Sequence, residues 1–267
     1  MRTISNPAFR NLPVRGGGYA GFNNSTPASF PGADPRYGGA LPTTSRPMTV
    51  DDVVTKTGIT LAVLAATGVA TYVSGWWALA LPAALIGFVL ALVVIFKKMV
   101  SPPLILAYAA VEGVFLGGIS GAIARPVERL TGSGSLVLEA VTGTVLVFAG
   151  MLVVYKTGAV KVTPRFTKWI TGALIGVVGL MLVNLIANFF IPGGLHLRDG
   201  GPLAIVFSLV CIGIAAFSFL IDFDAADEAI RAGAPEKTAW YIAFGLTVTL
   251  VWLYLEILRL LSYLQSE

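Results

Sequence analysis

Long apolar runs alternate with short polar connections along this chain, and the runs share one length. After a polar stretch at residues 1–48, apolar segments occupy approximately 58–76, 79–96, 103–124, 136–155, 169–191, 202–223 and 240–264. A helix needs about 20 apolar residues to cross the roughly 30 Å of a bilayer's hydrocarbon. A membrane β-barrel would instead show segments of about 10 residues with alternating polarity. The pattern therefore predicts an all-α integral membrane protein, a seven-transmembrane-helix bundle. The first two runs almost merge, but together they cover two bilayer thicknesses. Gly75-Trp76-Trp77 followed by Pro82 marks a tight interfacial hairpin between them.

The first 48 residues read differently. They are rich in Gly, Pro, Ser, Asn and Arg, include Gly16-Gly17-Gly18 and seven prolines, and show no apolar period. Such a segment cannot bury enough apolar surface to order itself, so a disordered cytoplasmic arm is expected over 1–48 and the transmembrane domain over 49–267. The arm lacks the run of 7 to 15 apolar residues of a signal peptide. Thr49 or Asp51 is suited to cap a short helix at 50–56 leading into the bilayer.

Composition agrees with the pattern: 56% of the residues are hydrophobic and 12% charged, about half the charge of an ordinary soluble domain. The net charge of +4 is spread over loops and not gathered into a stripe, which argues against nucleic acid as a partner. Topology accounts for it better. With the N-terminus inside, only Arg125, Arg129, Arg198 and Arg259 of the 18 Lys and Arg residues fall outside. The positive-inside rule thus gives an N-in, C-out orientation. Cys211 is the single cysteine and lies within a run, so it forms no intrachain disulfide and is expected to pack.

Small residues suggest which helices are central. Gly113, Gly117 and Gly121 repeat every four residues in the third span, and Gly172 and Gly176 do so in the fifth. Both stripes would let a neighbouring backbone approach closely, which places both helices inside the bundle.

Acids in such runs call for a partner, water or a proton, because an ionised carboxylate at the bilayer centre costs at least about 2.5 to 3.5 kcal/mol. Glu112 lies near the middle of the third span, beside its glycine face, as a buried hydrogen-bonded acid or a transport residue. Asp222, Asp227 and Glu228 read as the solvated end of the sixth span, with Asp224 among them. Glu256 falls deep in the last run, with Arg259 one turn on, able to pair with it or to snorkel outward. If residues 240–245 form an interfacial aromatic belt, Glu256 is at mid-membrane; if the span starts at Trp240, it moves toward the outer face.

These residues resemble a known family. Ser218 to Asp224 (SFLIDFD) is similar to the end of the sixth helix in the Bax inhibitor-1 family, also called TMBIM or YccA-like. Leu253 to Leu261 (LYLEILRLL) is similar to its final-helix motif, and Glu112-Gly113 with Leu116-Gly117 to its third helix. The resemblance covers about 55–264 and leaves out the arm. It looks strongest to a bacterial, chiefly actinobacterial, subgroup through AFGLTVTLVW at 243–252. What the resemblance implies is a calcium leak in which acids of the sixth and seventh helices share a proton as a pH sensor. Carried over by position, the pair is Asp224 and Glu256, with Glu112, Asp222 and Arg259 in support. Glu256 stands where the family commonly has Asp, and the segment between the two acids is several residues longer here. Two carboxyls in hydrogen-bond reach share one proton, since both cannot ionise cheaply. The same oxygens suit transient calcium, with no resident cofactor.

Two other functions compete. Gly118-Ile119-Ser120-Gly121 has the Gly-x-Ser-Gly form of rhomboid intramembrane proteases, but the only histidine, His196, lies in the polar loop 192–199. A serine nucleophile needs an aligned base, so an enzyme is not expected. The alternative to a leak is non-catalytic regulation of a membrane quality-control protease, with the arm as contact. The remaining partners expected are the lipid bilayer and calcium or other cations.

Overall fold

The computed structural model describes residues 46–97, 101–132, 134–191 and 193–266; the expected disorder of the arm concerns residues outside these, apart from Arg46 to Met48. Thr49 starts the first helix through a capping box: the Asp52 N–H donates to Thr49 Oγ1, and the Thr49 N–H donates to Asp52 Oδ2. From this cap α1 (Val50–Ser74) runs without a break, so the short helix expected at 50–56 is simply the beginning of the first span. Gly75 ends it with φ of 71°, a left-handed conformation that glycine adopts without steric cost. A single 3-10 turn at Trp77–Leu79 leads into α2 (Ala80–Lys97), whose first turn holds Pro82, where a missing N–H is harmless. The predicted hairpin is therefore present.

The remaining helices are α3 (Pro102–Thr131), α4 (Leu136–Thr157), α5 (Pro164–Ala187), α6 (Pro202–Arg231) and α7 (Thr238–Ser266). Proline opens α3, α5 and α6, the position its fixed φ favours. All seven are long and apolar enough to cross a membrane. Two extend well past their apolar runs. α6 continues to Arg231, so Asp222 is no helix end, and α7 starts at Thr238, so residues 240–245 are helical and Glu256 lies toward the far half of the span.

The bundle is built around α3 and α7. In each, 56% of the most apolar stretch is buried, against 6% in α5. Along α3 the glycines do what their spacing predicts: a methyl group on Gly113 would overlap the Leu64 carbonyl of α1, and one on Gly117 the Gly68 carbonyl. The expectation for α5 is overturned. Nothing approaches Gly172 or Gly176, and α5 packs chiefly on α6, as through Phe166 and Phe217 at 6.0 Å. A glycine stripe makes a groove, but another helix fills it only when the connections bring one there. Leu85, Phe88 and Val89 of α2, Val145 and Leu146 of α4, and Leu182 and Leu185 of α5 are all exposed. An apolar surface of this extent is compatible with lipid and not with water.

At the end where α1 begins, residues assigned to the arm by sequence are held in the fold. Met48 is 2% exposed, its N–H donates to the Ala234 carbonyl, and the Glu236 N–H donates to the Arg46 carbonyl. Arg46 grips Asp52 with two hydrogen bonds of 2.7 and 2.9 Å, which hold its proton more firmly than usual, and reaches Glu236 at 3.3 Å. Lys56 of α1 completes the clasp by donating to the Glu236 carbonyl and carboxylate. The loop between α6 and α7 is thereby fastened to the start of α1.

Candidate functional site at the seam of the last two helices

Consecutive helices joined by a short loop lie antiparallel, and one hydrogen bond fixes the register of α6 on α7: Thr249 Oγ1 donates to Asp222 Oδ2 at 2.7 Å. Asp222 therefore faces α7. Residues two apart on a helix are rotated by about 200°, so Asp224 points away from this seam. It lies instead on the side of α4, where it and Asp227 both act electrostatically on Tyr155, whose hydroxyl donates to Asp227.

Glu256 shares the α6-facing side of α7 with Thr249 but lies seven residues further along, about 10 Å toward the far end. Counting the two residues between Asp222 and Asp224, the expected pair Asp224 and Glu256 is about 13 Å apart along the bundle and on different faces. No proton or calcium ion bridges that distance, so the pair carried over by resemblance is not formed. The α6 acid that meets α7 is Asp222.

The partners of Glu256 are arginines. Its carboxylate is 1% exposed and accepts from Arg198 Nη2 at 3.0 Å and Nη1 at 3.5 Å, and from Arg259 Nη1 at 3.4 Å. Arg259 thus pairs as the sequence allowed. Arg198, which the sequence placed only as an outer-loop charge, is the larger surprise: it contacts Met181 Sδ on α5 and the Phe207 ring on α6, and its carbonyl accepts from Tyr263 of α7. The loop is turned inward by Asn184, whose Oδ1 accepts the Leu195 N–H, and by His196 at φ 57°. A cavity of about 460 Å³ opens beside this cluster, lined by Asn184, Asn188, Arg198 and Arg259 together with apolar residues such as Met181 and Phe207. The available sequence signal was an arginine in the loop that must return to α6 close to a buried acid.

Glu112 lies at the α2–α3 contact, where Gly87 makes room: a methyl group there would come within 2.7 Å of Glu112 Oε2. Among the described residues no hydrogen bond or ion pair reaches its carboxyl, so the hydrogen-bonded reading is not realised. Ser120 shares a 2.7 Å hydrogen bond with Tyr254, whereas His196 pairs with Asp199 in the exposed loop. The Gly-x-Ser-Gly segment thus serves packing: Gly118 abuts Ala80 and Gly121 abuts the Trp77 ring. Cys211 is buried, near Glu256. Among the described residues no three His, Cys, Asp or Glu side chains gather as metal ligands.

Seven apolar helices, two of them central and five around these, with acids inside and an apolar exterior, define a multi-pass membrane protein. The family model described as Bax inhibitor 1 like matches residues 6–266, and the chain belongs to that family. The match takes in most of the arm that the motifs had left aside. No curated protein matches the chain.

Proposed function

We propose that the protein is a proton-sensitive cation leak of the cytoplasmic membrane, with calcium as the ion it passes and Asp222 as the sensing acid. The observation that supports this reading is the Asp222–Thr249 contact: a half-buried carboxyl in the α6–α7 seam, matched, among the described residues, by a neutral hydroxyl alone. An ionised Asp222 holds Thr249 through a charge-assisted hydrogen bond, which is stronger than a neutral one. Proton uptake weakens this bond and loosens α6 from α7, so flux rises as pH falls. At the far end Glu256, bound by Arg198 and Arg259, acts as a fixed closure. At the near end the clasp of Arg46, Asp52, Lys56 and Glu236 sets how far the seam opens.

Calcium entry into dye-loaded liposomes, measured at two pH values, tests the proposal. Wild-type protein is expected to pass more calcium at the lower pH. Asp222→Asn, which mimics the protonated acid, gives high flux at both values, while Asp224→Asn keeps the wild-type response. An unchanged pH response in Asp222→Asn removes Asp222 as the sensor. Absence of flux at either pH refutes the leak and turns the assignment to regulation of a membrane-bound protease.

A further inference from the structure

In the half of the bundle away from the N-terminal end, α1 and α4 stand apart over a floor made by α3 and α7. The space between them is an apolar crevice of about 370 Å³, bounded by Leu61 and Gly68 of α1, Val141 and Val145 of α4, and Leu250 and Tyr254 of α7. Val141 and Val145 are 45% and 57% exposed, so the crevice opens sideways, where the bilayer lies. Along α1 it extends from Leu61 to Tyr72, about 16 Å at 1.5 Å per residue. One leaflet of a hydrocarbon core about 30 Å thick has that depth.

The mouth of the crevice carries charge. Tyr72, its last lining residue along α1, has the Arg125 guanidinium over its ring at 5.4 Å, and the same guanidinium is 5.6 Å from the Trp77 ring. Arg125 Nε and Trp77 Nε1 are buried without a hydrogen-bond partner. The Tyr72 hydroxyl donates to Glu128, and Arg129 follows one turn after Arg125 with its side chain exposed. This end of α3 thus carries two arginines, four residues apart and so on one helical face, against the single carboxylate of Glu128, a positive balance that attracts an anionic group.

We propose that this crevice is a binding site for one phospholipid of the leaflet away from the N-terminal end. One acyl chain lies between α1 and α4, and the phosphate is held by Arg125 and Arg129. An empty crevice would leave its walls without contacts on one side, and a lipid chain supplies them. The four-helix lining surrounds that chain more completely than the convex surfaces of α2 or α5 surround ordinary boundary lipid. Arginine provides the directed N–H donors suited to phosphate oxygens.

Phosphatidylglycerol carrying a diazirine on one acyl chain, incorporated with the full chain into nanodiscs, gives the test. Photolysis is expected to label the facing residues of α1 and α4 in the crevice preferentially. Val141→Trp and, separately, Val145→Trp fill the opening and reduce those adducts several-fold, whereas Val178→Trp on the exposed side of α5 leaves them unchanged. Arg125→Gln lowers labelling by phosphatidylglycerol about tenfold, the size expected for one charged hydrogen bond, and leaves labelling by the corresponding diazirine diacylglycerol as it was. Adducts spread evenly over the lipid-facing helices, or undiminished in both filling variants, overturn the site. Displacement by inorganic phosphate would reassign the arginines to a free anion and overturn the headgroup contact.

Discussion

Asp222 and Glu256 lie along one seam, about two helical turns apart, and the fold treats their charges in opposite ways. Glu256 is enclosed by two guanidinium groups and is almost wholly inaccessible. Asp222 has a single neutral donor. Removing a buried carboxylate that is matched by cations leaves their charge stranded. Removing one that is matched by a hydroxyl strands no partner charge. The seam is thus held by two cations at its far end and by one neutral hydroxyl nearer the N-terminal end, a difference that the residue type alone does not reveal.

Substitutions break this contrast unequally. Glu256→Gln is expected to have the largest effect: it leaves the half-buried Arg198 and Arg259 without their anion and lowers stability by about 3 kcal/mol, read from unfolding in mixed micelles. Arg198→Ala costs less, about 2 kcal/mol, since Arg259 still meets the carboxylate, and it frees the loop at 193–200 to proteolysis. At the other acid, Thr249→Val removes one hydrogen bond, about 1 kcal/mol, and its clearer signature is a changed pH midpoint of calcium flux. The smallest change belongs to Asp224→Asn, within about 0.5 kcal/mol of wild type and with the flux response intact, because its side chain faces away from α7. A stability loss for Asp224→Asn equal to that for Glu256→Gln would erase the distinction between the acids.

The two glycine stripes carry a related lesson about legibility. Both were evident from spacing, and both implied a close helix contact, yet only the stripe of α3 meets a neighbour. The acids behave in the same way. Glu256 and its nearby Arg259 could be paired from a three-residue separation on one helix, whereas Arg198 reaches Glu256 from 58 residues away through a folded-back loop. The clasp of Arg46 and Lys56 on Glu236 joins positions 190 and 180 residues apart, which no local pattern announces.

The sequence by itself determined the seven spans, the hairpin at Gly75 to Pro82 and the family, and narrowed the first cap to Thr49 or Asp51, because hydrocarbon thickness, helix capping and motif identity are read from neighbouring residues. Only the tertiary structure decided which acid faces α7, which cations bind Glu256 and which glycine stripe is filled. Those outcomes depend on helix rotation and register, where a shift of two residues turns a side chain about 200° around the axis and an extension of seven moves it about 10 Å.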